Sequence, residues 1–284
     1  MSGPVEPGEY RWDGPGPAAL VASVRAACRE ADGHDPLDEA AELHLKHRGL
    51  DGASLHVADD AGFALVVAGE LSLAVRPHAR RGGVGTTLAA AAAGSAERAW
   101  SHGDHPGARA LAARHGFRRT RELWVMRRSL DALEAPGPAD PSIAVRGFRP
   151  GDEEQLLAVN AAAFADHPEQ GAMDERDLAE RMAEPWFDPA GLLMAYDGDE
   201  LLGFHWTKRH DADHGEVYVV GISPGAQGRG LGRLLTAAGL RHLAEGGARE
   251  VLLYVEADNA PARRLYEGLG FAHAAADTHV QYTR

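Results

Sequence analysis

The stretch Gln227-Gly228-Arg229-Gly230-Leu231-Gly232 follows an apolar run, Tyr218 to Ile222, and opens a helical pattern. At a helix N-terminus several backbone N–H groups point at one spot, and the helix dipole adds partial positive charge there. Glycines let phosphates reach that backbone with no side chain in the way. The chemistry on offer is anion binding, suited to a pyrophosphate. A Gly-rich strand-to-helix turn with no ligand is the plainer alternative. The motif is neither a dinucleotide Gly-x-Gly-x-x-Gly nor a lysine-bearing phosphate loop. The single cysteine, Cys28, lies in the Ala-rich run Val24 to Cys28 and reads as a small buried hydrophobe rather than a nucleophile. The fifteen histidines show no metal-ligand spacing, so no metal is expected.

The elements that must hold this turn occur twice. Leu71 to Val75, then Pro77 and Arg80-Arg81-Gly82-Gly83-Val84-Gly85, repeat the plan of Tyr218 to Ile222, Pro224 and the second turn. Downstream, His105 to Phe117 matches Asn259 to Phe271. Two matched blocks in the same order mark an internal repeat. Between the copies, Ala135 to Ser142 holds three prolines and a glycine and reads as a linker. The expected division is 1–134, a linker over 135–142, and 143–284.

In the second copy, strands are predicted at 143–146, 191–196, 201–208, 216–222 and 250–256. Asp197-Gly198-Asp199-Glu200 is expected to turn a hairpin. Helices are predicted at 230–245 and 260–268, and Asp152 with Gln155 suggests a capping box before Leu156, Leu157 and Phe164. Strands and helices in this order indicate an α/β (α+β) fold, each copy a central mixed sheet flanked by helices.

The composition is that of a globular protein, with 44% hydrophobic and 25% charged residues. A net charge of −13 argues against nucleic acid or an anionic membrane as partner. The N-terminal stretch, rich in Pro, Gly and acidic residues, has no leader pattern. A cytoplasmic monomer is expected.

Val219-Val220-Gly221-Ile222, then Gln-x-x-Gly-x-Gly, then Asn259 through Tyr266 and Leu269-Gly270-Phe271, resembles the GCN5-related N-acetyltransferase family. The resemblance covers the second half well and the first more loosely. It implies acetyl-CoA as co-substrate and a bulged strand before the Gly-rich turn. Val220, Gly221 and Ile222 would hold the acetyl and pantetheine end. Gln227, Gly228, Arg229, Gly230, Leu231, Gly232 and Arg233 would hold the pyrophosphate. Asn259, Ala260, Pro261, Ala262, Arg263 and Arg264 would lie alongside.

Tyr266 stands where this family often carries a tyrosine near the thioester sulfur, which implies a general acid; a core tyrosine is the alternative. Glu216, at the start of the strand feeding the acetyl site, could take the amine proton directly or through water. A solvent-exposed glutamate is its alternative. No cysteine lies near the motif, so direct transfer without an acyl-enzyme is expected. The first copy has Ala112 opposite Tyr266, His105 opposite Asn259 and Gly69 opposite Glu216. Its Leu73, Ala74, Val75, Arg81, Gly82, Gly83, Val84, Gly85 and Thr86 could still bind coenzyme A, so a non-catalytic role is expected there.

Phe164 to Gly171, His205 to Lys208 and Glu216 to Gly221 further resemble tandem members that acetylate the cysteinyl amine of cysteinyl-glucosaminyl-inositol, a thiol-sugar. By matching position, Glu39, Glu169, Lys208, Glu216 and Tyr254 would contact that substrate. Glu169 and Lys208 could equally be surface charges. Two rivals stay open: transfer to another amine (a peptide N-terminus, polyamine or aminoglycoside), and an acyl-CoA sensor without turnover.

Overall fold

A computed structural model describes residues 4–5, 16–131, 133, 140–165 and 170–284. The chain divides into two compact units. Unit 1 comprises Met1–Trp124, Glu256–Asp258 and Ala274–Arg284; unit 2 comprises Val125–Val255 and Asn259–His273.

In chain order, unit 1 carries β1 (Pro4–Val5), α1 (Pro17–Asp32), α2 (Glu39–Arg48), β2 (Ala53–Ala58), β3 (Gly62–Val67), β4 (Glu70–Val75), α3 (Val84–Ala92), β5 (Arg98–Ser101) and α4 (Pro106–Arg114). β6 (Arg118–Ser129) begins in unit 1 and ends in unit 2. Unit 2 continues with β7 (Ile143–Gly147), α5 (Glu153–Ala163), α6 (Glu175–Met182), β8 (Leu192–Asp197), β9 (Glu200–Arg209), β10 (His214–Ile222), α7 (Leu231–Glu245), β11 (Glu250–Glu256) and α8 (Ala260–Glu267). The last strand, β12 (Ala272–Thr283), falls mostly in unit 1.

Within unit 1 the strands run β1-β2-β3-β4-β5-β12, and β12 closes on β5 antiparallel, from Val280↔Ser101 to Thr283↔Arg98. Helices α1 and α2 cover one face, where Val21, Val24 and Leu45 pack on Leu55, Phe63 and Leu65. Leu88 and Ala92 of α3 pack against Ala64, Val66 and Leu71. Cys28 is buried, with its thiol toward the Val75 carbonyl at 3.5 Å, and burial pushes that thiol up, away from the reactive thiolate.

Unit 2 builds its sheet in the order β11-β10-β9-β8-β7. The Gly198-Asp199 turn joins Asp197↔Glu200, as the hairpin signal predicts. Leu231 and Leu235 of α7 pack on Ala195 and Leu202, while Leu156 of α5 and Leu178 of α6 pack with Phe204 and Trp206. Alternation along β9 therefore sends His205 to the α7 side and Trp206 to the other. His205 Nδ1 meets the Leu235 carbonyl at 2.9 Å, and burial holds this imidazole down to about 4, so it is neutral. A Cβ on Gly239 would lie 2.1 Å from that ring, which is why α7 carries glycine there.

The predicted capping box does not form. Asp152 precedes α5 but makes no side-chain cap. Instead its carboxylate receives Arg146 at 2.7 and 2.8 Å, the Arg149 N–H at 2.7 Å and the Tyr196 hydroxyl at 3.0 Å. Gln155 accepts from the Leu201 N–H at 3.0 Å. A guanidinium at bidentate range outcompetes a cap. Hydrogen bonding from Arg146 holds the Asp152 carboxyl down to about 2. A depressed native pKa stabilises the fold above the unfolded carboxylate value and loses that contribution as pH falls through the native one. Asp152→Asn is expected to cost about 2 kcal/mol near neutrality, and urea titrations should show the gap closing between roughly pH 5 and 2.

Candidate active site

β10 does not pair evenly. Val217 faces Thr207 on β9 and Val219 faces Trp206, so Tyr218 is an extra residue in the ladder. On its other edge, β10 pairs with β11 in parallel only from His214↔Glu250 to Val217↔Leu253. β10 runs on to Ile222 and β11 to Glu256, so the strands part beyond that pair. An extended ligand can lie against Val219 to Ile222 there. Gly221 is needed on the packed side, because a Cβ would sit 2.6 Å from the Phe204 ring.

The parted strand leads into the Gly-rich turn. Gly228 and Gly230 take left-handed φ values of 80° and 76°. Gly230 begins α7 with no side-chain cap, which leaves the first-turn N–H groups facing outward. A Cβ on either glycine would meet nothing within 4 Å, so the space before the helix is open. This fits a pyrophosphate. Arg229 reaches Asp197 at 3.0 Å and Asp140 at 3.5 Å. Arg233 donates to the Gly268 carbonyl at 3.0 Å, and a Cβ on Gly232 would touch Leu265, so α7 and α8 meet beside the turn.

Glu216 is buried at 6% exposure, although it lies near the start of β10. Its cross-strand partner is Lys208, and its parallel partner is Leu252, two residues before the half-exposed Tyr254. The Lys208 ammonium sits 4.8 Å from the Trp186 ring centre and 5.1 Å from that of Tyr218. Arg181 donates to the Tyr218 hydroxyl at 2.9 Å. Aromatic faces thus hold the lysine, whose strand position is opposite Glu216. The carboxylate itself meets His210 Nε2 at 2.7 Å. The sequence reading did not single out His210, Trp186 or Arg181. Lys208 and His210, eight and six residues before Glu216, carry no periodic signal.

Tyr266 lies on α8, 9% exposed, edge-on to Phe271 with ring centres 5.8 Å apart. Burial pushes its phenol up to about 12, so the proton stays on. Asn259 caps α8 by accepting from the Ala262 N–H at 3.1 Å, which sets the start Ala260-Pro261. Glu39 opens α2 in unit 1. Glu169 lies outside the described residues. The segment just after it is tied to α5, since Gln170 and Asn160 exchange bonds of 2.9 and 2.7 Å.

The repeat is visible in unit 1. The Phe117 N–H donates to Ala112 at 2.9 Å as the Phe271 N–H donates to Tyr266 at 3.0 Å. A Cβ on Gly85 would touch Leu111 as one on Gly232 would touch Leu265. Arg81 adopts φ 63°, the left-handed shape that Gly228 holds in unit 2. That shape costs a non-glycine residue, so Arg81→Gly should raise stability in urea by about 0.5–1 kcal/mol. Two differences are marked. β3 and β4 pair without a register shift, and Ala112 replaces the phenol. A cavity of about 520 Å³ is lined by Leu73, Ala74, Val75, Arg81, Gly83, Gly85 and Thr86, together with Asp32, His34, His102 and His105. Gly82 and Val84 complete the same turn. Arg80 also lines this space, tied to Asp32 at 2.8 Å and to the Val75 carbonyl at 3.0 Å.

Residues 158–271 match the model of the acetyltransferase (GNAT) family. The chain is 55% identical to a mycothiol acetyltransferase of a Nocardioides species, over 94% of this chain and 97% of that one. It is 50% identical to a mycothiol acetyltransferase of Actinosynnema mirum, over 94% and 96%. A GCN5-related N-acetyltransferase from Sphaerobacter thermophilus superposes with TM-score 0.70 at 29% identity, over 95% of this chain and 93% of that one. A tandem GNAT protein from the clavulanic acid biosynthesis pathway shares the fold, with TM-score 0.69 at 18% identity over 100% and 98%. The chain therefore belongs to the mycothiol acetyltransferase family, within the GCN5-related N-acetyltransferases.

Proposed function

We propose that this chain transfers acetyl from acetyl-CoA to the cysteinyl amine of cysteinyl-glucosaminyl-inositol, the closing step of mycothiol synthesis, as a cytoplasmic monomer. The observation that carries acetyl transfer is the bulged, parted β10 running into the uncapped N-terminus of α7. Val220, Gly221 and Ile222 hold the acyl arm, and Gln227 to Arg233 take the pyrophosphate. Asn259, Ala260, Pro261, Ala262, Arg263 and Arg264 flank it.

Glu216 accepts the proton of the amine, and a backbone N–H near Val220 faces the oxygen on which charge grows. Tyr266 protonates the departing sulfur. Desolvation that pushes the phenol up also raises a thiol buried beside it, which keeps donor and acceptor matched. Glu39, Glu169, Lys208, Glu216 and Tyr254 supply the polar contacts that a hydroxyl-rich sugar needs.

The repeat supports two copies, 1–134 and 143–284, joined over 135–142. With its even β3–β4 ladder and no phenol, the first copy binds coenzyme A through Leu73 to Val75 and Arg81 to Thr86 without catalysing transfer. A competition assay tests the acceptor. The thiol-sugar amine should exceed a peptide amine, a polyamine and an aminoglycoside in kcat/KM by at least about 10-fold. Equal use of any of these would redirect the assignment to that amine.

A further inference from the structure

Acylating an ammonium nitrogen removes two protons from it: one before attack and one as the amide forms. On the reading above, Tyr266 gives its own proton to sulfur and is re-protonated by one of these two, and the other must reach water. Glu216 is a single carboxylate whose side chain is 7% exposed, so it can hold one proton and has little direct contact with solvent. Its Oε2 lies 2.7 Å from Nε2 of His210, whose side chain is 37% exposed. His210 follows the end of β9, and its N–H–bearing backbone is tied to His214 across the turn at 3.0 Å. Asp211 Oδ1 accepts from the Asp213 and His214 N–H groups at 2.8 and 2.9 Å, which fixes that turn. The imidazole therefore bridges a buried carboxylate and water.

We propose that His210 is a positioning residue that relays the Glu216 proton to solvent. The substrate N–H bond breaks as an O–H bond forms on Glu216. With His210 entering as its Nδ1–H tautomer, the Oε2–H bond breaks as Nε2–H forms, the Nδ1 proton passes to water, and exchange of the ring protons with water restores the starting tautomer. The carboxylate is restored and no redox step occurs. The neighbouring strands and the turn carry other polar groups. Lys208 lies across the strand, Tyr254 follows Leu252 on β11, and Arg181 holds Tyr218. In the turn, Asp211 meets His214 at 2.9 Å and Asp213 meets Arg249 at 3.3 Å.

His210→Gln keeps an N–H near the Nε2 position and cannot carry a proton. In weak buffer its kcat on cysteinyl-glucosaminyl-inositol should fall about 10–100-fold with KM within about threefold. Added imidazole should restore turnover in proportion to its concentration, and thermal melts should match the wild type. The double variant with Glu216→Gln should be no slower than Glu216→Gln alone, since His210 acts through that carboxylate. Wild-type rates without buffer dependence would overturn the relay. So would a slow variant that no buffer restores and whose KM is raised, because His210 would then only hold Glu216 in place. A wild type that acetylates no amine would sink the transfer reading and the relay together. An active wild type matched by His210→Gln would sink the relay alone.

Discussion

Tyr266→Phe is expected to keep coenzyme A binding and lose kcat by about 10²–10³-fold. The ring contact with Phe271 survives the change, so the fold of α8 should not suffer. On the proposed role, what disappears is the proton that the leaving sulfur needs. With the native phenol pushed up to about 12 by burial, its own ionisation gives no alkaline limb in the range where the enzyme works. Calorimetry with coenzyme A, alongside kcat against pH, separates the two effects. A variant as fast as the wild type would make Tyr266 a packing residue only.

Glu216→Gln should lower kcat/KM for the amine by about 10²–10³-fold near neutrality. The sign of its pH response follows from its role. Without an internal base the enzyme must wait for amine that has already lost its proton, and that fraction grows with pH. The variant should therefore recover toward wild-type rates between roughly pH 7 and 9. A deficit that stays constant with pH would mean that Glu216 orients the acceptor without taking its proton. Lys208, held over Trp186 and Tyr218, stays in place in this variant, which limits the change to one group.

The second copy was legible because its signals are local. Predicted strands at 250–256 and 216–222 correspond to β11 and to most of β10, and the helix over 230–245 is α7 within one residue. Gly228 and Gly230 announce a left-handed turn by composition alone, and the matching of Tyr266 with Ala112 reappears as the same backbone bond to the following phenylalanine. The failures involve choices between partners. Asp152 has the sequence of a cap, yet Arg146 on the neighbouring strand offers a stronger bond. His210 meets Glu216 through a turn shaped by Asp211, and nothing periodic marks that meeting. The antiparallel pairing of β12 with β5, far apart in the chain, likewise leaves no trace in alternation.

The most direct measurement mixes the protein with acetyl-CoA and cysteinyl-glucosaminyl-inositol and follows the products by mass spectrometry with a thiol-trapping reagent. The account predicts one acetyl group on the amine, a product thiol still open to trapping, and one equivalent of released coenzyme A. Coenzyme A bound without product, or acetyl found on sulfur alone, would contradict it.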